Sequence, residues 1–199
     1  MKVIKSIQGK GGHQKGFALL MTLIVVTVVI SIGLSVLDLS IKQIRLSTNA
    51  RDSEIAFHAA NAGMECARFV RRNLSNAMEN GDPISPNCFT GGPSPNTFTE
   101  VTDVTGGGEV HRYDYAFSWG GAAPRCSQIT TLVASSSFSG TTTISNMRNT
   151  WMPGYPGDTK TCGAGERCTV ISVRGYNKSC SMVTSNTYGI VQREVLLQF

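Results

Sequence analysis

The sequence predicts an α+β protein in which a long N-terminal helix, membrane-spanning in its first half and amphipathic in its second, packs on a small antiparallel β-sheet. Three observations lead there. Phe17 to Leu37 is an uncharged apolar run of 21 residues. Apolar and small side chains then recur every three or four residues as far as Phe69. Past about Ala77 the composition shifts to Gly, Pro, Ser, Thr and Asn around short segments of alternating polarity, and all six cysteines lie beyond the apolar run.

As a helix rising about 1.5 Å per residue, a run of that length spans roughly 30 Å, the thickness of a bilayer's hydrocarbon core. Lys2, Lys5, Lys10 and Lys15 precede it, and residues 1–16 contain no acid. By the positive-inside rule this charge holds the N-terminus in the cytoplasm and sends the rest outward. An ordinary secretory signal has a shorter apolar region followed by a small-residue cleavage site. Ser31-Ile32-Gly33 and Gly33-Leu34-Ser35 mimic such a site, but the pattern continues into a charged helix, so the apolar segment is expected to be retained. Gly33 lowers helix propensity by about 1 kcal/mol relative to alanine, which suits either local unwinding or a neutral small residue.

Residues 38–77 read as the amphipathic half. Leu37, Ile41, Ile44, Thr48, Ile55, Ala59, Ala62, Cys66 and Phe69 recur at helical spacing. Asp38 with Lys42 and Glu54 with His58 lie one turn apart on a solvated face, where each pair contributes only a few tenths of a kcal/mol. Ala56, Ala59, Ala60, Ala62 and Gly63 permit close approach of another backbone. Arg68, Arg71 and Arg72 near the helix end suit its dipole; nucleic-acid contact through them is the weaker alternative.

Residues 78–199 read as one small β-rich domain. Asn80-Gly81-Asp82-Pro83 and Gly91-Gly92-Pro93-Ser94-Pro95-Asn96 signal turns and loops. Between Arg112 and Trp119, Tyr113, Tyr115, Phe117 and Trp119 alternate with Arg112, Asp114 and Ser118, the pattern of a half-buried strand whose aromatic face belongs to the core. Further strands are expected at 129–134, 142–145, 168–174 and 191–199. An even cysteine count in an exported segment points to disulfides among Cys66, Cys88, Cys126, Cys162, Cys168 and Cys180, with fifteen possible connectivities. Cys66 with Cys88, and Cys162 with Cys168, are two candidate clips worth about 2–4 kcal/mol each. No Cys-x-x-Cys pair occurs and the histidines are only His13, His58 and His111, so zinc-site spacing is absent.

Nothing in the pattern points to an enzyme. Gly106-Gly107-Gly108 lacks a following Lys-Ser or Lys-Thr and reads as a loop. His58 and His111 have no nucleophile at recognisable spacing and read as surface residues. Asn73-Leu74-Ser75 and Asn177-Lys178-Ser179 match the glycosylation acceptor pattern at a length that chance produces. The formal charge of +5 resides mostly in the first sixteen residues; without those four lysines, 14 basic residues face 13 acids, a net of +1. The basic balance therefore does not require a nucleic-acid partner.

Two stretches carry a family resemblance. Lys15-Gly16-Phe17-Ala18-Leu19-Leu20 resembles the class III signal of type IV pilins and type II secretion pseudopilins. Ala56-Phe57-His58-Ala59-Ala60-Asn61-Ala62-Gly63-Met64-Glu65 is similar to the pattern that follows the membrane helix in minor pilins of the pilus-assembly protein X type. The resemblance covers the first seventy or so residues. It implies a leader peptide, residues 1–16, cut after Gly16 by a prepilin peptidase that also methylates the new amine of Phe17. It further implies a pilin-like roll, no cofactor and no catalysis. The expected role is that of a minor filament subunit, held single-pass in the inner membrane before an assembly platform driven by a separate ATPase moves it into a cell-surface filament. Its partners would be the peptidase, other pilin subunits, the inner-membrane platform and, before assembly, membrane lipid.

One position departs from the family. Most major pilins have glutamate at the fifth mature residue, where this chain has Met21 counting from Phe17. A carboxylate in the bilayer costs about 2.5–3.5 kcal/mol on insertion scales, so the family keeps it for a purpose, thought to be pairing with a neighbour's N-terminal amine. Without it, two readings stay open: a subunit at or near the tip, or a relaxed packing rule. The alternatives at the level of function are a signal-anchored extracytoplasmic binding protein and a type II secretion or DNA-uptake pseudopilin.

Overall fold

The computed structural model describes residues 14–89, 92–134 and 140–199. Lys2, Lys5, Lys10 and His13, with most of the leader and Gly91 of the expected loop, lie outside the described residues. The chain divides into two compact units at Asn49 and Ala50. The described part of the first unit is helix alone. The second, Ala50–Phe199, holds the rest of that helix and the sheet.

Helix α1 runs Gln14–Asn73, and a short α2 follows at Ser75–Asn80. The helical path breaks at Leu74, three residues before the expected end. Gly81 closes α2 with φ +76°, the left-handed conformation that glycine adopts at least cost, and the Asp82 amide donates to the Ala77 carbonyl at 2.8 Å. The Asn80-Gly81 signal thus stops the helix, as its chemistry dictates.

The buried side of α1 differs from the expected one. Ala56, Ala59, Ala60, Gly63, Met64, Ala67 and Val70 are buried, whereas Phe69 stays 55% exposed and Ile55 and Ala62 are half-buried. Close approach explains part of this: a methyl on Gly175 would fall on the backbone of Ala56 and Ala60, so only small residues face the sheet there, while Met64, Cys66 and Val70 fill the core farther along the helix.

The main sheet has five antiparallel strands in the order β1 (Asn96–Glu100), β3 (Val110–Trp119), β4 (Arg125–Ala134), β7 (Thr169–Tyr176) and β8 (Gln192–Gln198). A small antiparallel sheet joins β2 (Val104–Thr105), β5 (Thr142–Ile144) and β6 (Lys160–Cys162). A π-turn at Met147–Trp151 and helix α3 (Cys180–Thr184) complete the described elements. Four of the expected strands coincide with β3, β4, β5 and β7, and the last coincides with β8. β1, β2 and β6 carry no clear alternation in the sequence, being two to five residues long and rich in Thr.

Alternation sorts the strands' side chains into two layers. One face carries Tyr113, Tyr115, Phe117, Ile129, Val133, Ile171 and Val173 into a core closed by Met64, Val70 and Met78 from the helices. The opposite face has an apolar cluster at each end. Leu132, Val170, Ile144, Met147 and Met152 gather at one, and Ala116, Cys126, Tyr176 and Cys180 at the other. Between them lies a polar band in which Thr130 donates to Asp114 at 2.6 Å and Ser172 to Glu194 at 2.6 Å.

All six cysteines pair, as Cys66–Cys88, Cys126–Cys180 and Cys162–Cys168. The first spans the break at Leu74, and the second ties α3 to β4. Chain-entropy reasoning ranks the 54-residue closure above the 22-residue one and both above the 6-residue one, within about 2–4 kcal/mol each.

Tyr113 joins α2 to the sheet. It is 1% exposed, and its hydroxyl donates to the Asp82 carbonyl at 3.1 Å, with the Ala77 and Met78 carbonyls at 3.4 and 3.3 Å. Burial, reinforced by the Asp82 carboxylate, pushes its phenol up to about 12 despite the opposing charge of Arg71. A phenol harder to ionise folded than unfolded stabilises the fold fully below pH 10, and that contribution drains away as pH climbs through 12. Burial raises Tyr115, Tyr155 and Tyr176 in the same direction. Melting temperature should therefore fall between pH 10 and 12, with roughly 2 kcal/mol of the loss attributable to Tyr113 and absent from Tyr113→Phe.

Candidate functional site

The candidate site is a surface, the first part of α1. It is the one helix among the described residues long and apolar enough to cross a membrane, and none of its apolar stretch is buried. Phe17 is 65% exposed and Met21 49%. The apolar residues here meet no core of their own.

Four hydroxyls in and just past this segment bond within the helix. Thr22 donates to the Leu19 carbonyl at 2.9 Å, Thr27 to Ile24 at 2.8 Å, Ser35 to Ser31 at 2.9 Å and Ser40 to Val36 at 3.0 Å. Each hydroxyl is spent on its own helix, as an apolar solvent requires. The first charges past Phe17 are Asp38 and Lys42, which form an exposed ion pair at 2.8 Å where the apolar surface ends.

Gly16 lies within the described helix, and a methyl group there would meet nothing within 4 Å. Gly33 keeps the helix unbroken, and a methyl group there would meet nothing within 4 Å. The glycine is therefore not demanded by any contact within this chain. Met21 sits in the same uncharged surface, with no carboxylate between Phe17 and Leu37.

From Ala50 onward the helix is held down tightly. Ser127 of β4 donates to the Ala59 carbonyl at 2.7 Å and receives the Trp119 indole N–H at 2.9 Å. Arg193 of β8 donates to the Ser53 hydroxyl at 2.8 Å. A methyl on Gly63 would lie 2.6 Å from Val173 Cγ1, and one on Gly175 would fall on the backbone of Ala56 and Ala60. The small residues singled out in the sequence meet the sheet here, but their partners Ser127 and Gly175 carried no recognisable signal.

The arginine cluster splits. Arg71 is buried, paired with Glu79 at 2.6 Å and donating to Thr169 at 3.0 Å, so it is structural. Arg68 pairs with Glu65 at 3.0 Å on the surface. Arg68, Arg71, Arg72 and Ser75 line a groove of about 460 Å³ with Arg167, Leu197 and Phe199. Arg167, from the loop closed by Cys162–Cys168, had no counterpart in the sequence reading because only the fold brings it there.

Of the histidines, His58 is exposed. His111 is buried, contrary to the surface position expected from its place beside a strand, because β1 covers it with Phe98 and the turn at Gly81 closes over its ring. Among the described residues no group of three or more His, Cys, Asp or Glu side chains gathers as a metal site would need. The aromatic strand face is core: Tyr113, Tyr115 and Phe117 are buried, and Trp119 stacks on Phe89 with centroids 5.2 Å apart. No family model, curated protein or solved structure matches the chain.

Proposed function

We propose that this chain is a non-catalytic subunit of a type IV pilus or related filament, processed after Gly16 and assembled through Phe17 to Leu37. One observation carries the reading. A single continuous helix carries the Lys15-Gly16-Phe17 junction, exposes an uncharged apolar surface from Phe17 to Leu37, and continues into a disulfide-linked α+β unit. That surface suits lipid and a bundle of like helices equally, so transfer between the two need cost little. A reversible exchange from membrane to filament follows from this balance. The globular unit is left to face solvent and carry partner contacts, and Met21 in place of an acid fits a minor subunit.

The deciding measurement is the intact mass and N-terminal sequence of the membrane-fraction protein, with and without coexpressed prepilin peptidase. A start at methylated Phe17 only when the peptidase is present is the expected result, abolished by Gly16→Val, whose added side chain obstructs the backbone at the cut. An intact Met1 under both conditions, or a cut beyond Gly33, would instead mark an anchored or secreted binding protein.

A further inference from the structure

We propose that the free edge of β8, with the arginine groove beside it, accepts an extended acidic segment of a partner protein as an added strand. The backbone pattern supplies the first half of the argument. Among the described residues β8 pairs with β7 alone. Phe199 and Thr169 exchange both backbone hydrogen bonds, at 3.1 and 2.8 Å. In an antiparallel ladder bonded pairs alternate, so Arg193, Val195 and Leu197 also bond inward. The N–H and C=O groups of Gln192, Glu194, Leu196 and Gln198 consequently point to the open side, a ready template for another strand.

The groove supplies the second half. Leu197 and Phe199 share the face of β8 that borders it, so every second side chain of an added strand would enter between them and the arginines. Arg71 is committed to Glu79, and Arg68 to Glu65. Arg72 and Arg167 are exposed and have no ion pair among the described residues. Two cations over an apolar floor call for carboxylates beside an apolar side chain. Lys160, which donates to Gln198 at 3.1 Å, lies on the neighbouring stretch of the edge with Glu166, whose carboxylate accepts from the Gly163 amide at 3.1 Å.

A second copy of this chain does not fit. A strand must carry its acids two or four residues apart to present them on one face, and the only such pair in the sequence, Asp52 and Glu54, is locked in α1. The occupant is therefore another protein. This inference rests on the second unit alone and stands apart from the filament reading, since processing at Gly16 and strand addition at β8 are measured separately.

The test uses the full chain, disulfides oxidised, in detergent micelles. The probes are a seven-residue peptide, Thr-Asp-Thr-Val-Thr-Asp-Thr, its lysine-for-aspartate counterpart and inorganic phosphate. The acidic peptide should bind at up to millimolar concentration and the lysine peptide should not. Arg72→Glu and Arg167→Glu, both at exposed positions, should each weaken binding at least tenfold. Hydrogen exchange read by NMR should slow at the amides of Leu196 and Gln198. Absence of binding, equal binding of both peptides, or unchanged affinity in the two variants would overturn the proposal. So would unchanged exchange at the edge amides, or displacement by phosphate at equal concentration, which would reduce the groove to a simple anion site.

Discussion

Gly175→Val is expected to lower the stability of the oxidised protein by about 4 kcal/mol or more, the largest single-residue effect anticipated outside the disulfides. A side chain at this position of β7 collides with the amide nitrogen of Ala60 and the carbonyl oxygen of Ala56, both main-chain atoms of α1. Backbone cannot swing aside as a flexible side chain can, so helix and sheet must separate along the whole Ala56, Ala59, Ala60 and Gly63 row. That separation also breaks the Ser127 bond to Ala59. Urea unfolding of the full chain in micelles, followed by near-ultraviolet circular dichroism, measures the loss. Gly33→Ala is the control, because its methyl meets nothing, and it should be neutral or slightly stabilising. Wild-type stability in Gly175→Val would mean that the helix does not sit this close to β7.

Arg71→Ala is expected to cost about 3–5 kcal/mol, far above the fraction of a kcal/mol that its surface neighbour Arg68 should contribute. The Arg71 side chain is 5% exposed and that of Glu79 10%, and their contact ties the last turns of α1 to α2. Truncation strips Glu79 of its guanidinium inside a low-dielectric site and removes the donor to Thr169. Arg71→Met combined with Glu79→Met should recover most of the loss, since a buried ion pair is often replaceable by apolar packing. The same denaturation series, with Arg68→Ala as comparison, decides it. Equal, small effects for Arg68→Ala and Arg71→Ala would place Arg71 in solvent.

Fold class was legible because two strong periods, near 3.6 and 2, each persist long enough to outweigh local noise. The 21-residue apolar run, the aromatic strand from Tyr113 to Trp119 and the Asn80-Gly81 stop all read directly from residue chemistry. What failed to read was set by packing across the chain. Phe69 looked like a core residue and Val70 did not stand out, because the sequence gives the helix period but not which neighbouring backbone comes close enough to exclude large side chains. Arg71 looked like one of three equivalent cations until Glu79 and Thr169 met it. His111 looked exposed because β1, the strand that covers it, is five polar-rich residues without a clear pattern. The groove was invisible for the same reason, since Arg72 and Arg167 are 95 positions apart.

The pairing of cysteines also sets how the protein bears tension. Cys66–Cys88 routes force past Leu74 and α2, and Cys126–Cys180 short-circuits everything from β4 to α3, the third bridge being nested within it. Roughly half of the residues from Ala50 to Phe199 are thereby shielded from mechanical load, so a pulled molecule can lengthen by only about half of what its chain would allow. Even after its non-covalent contacts give out, the residues within the two bridged loops stay out of the extended path.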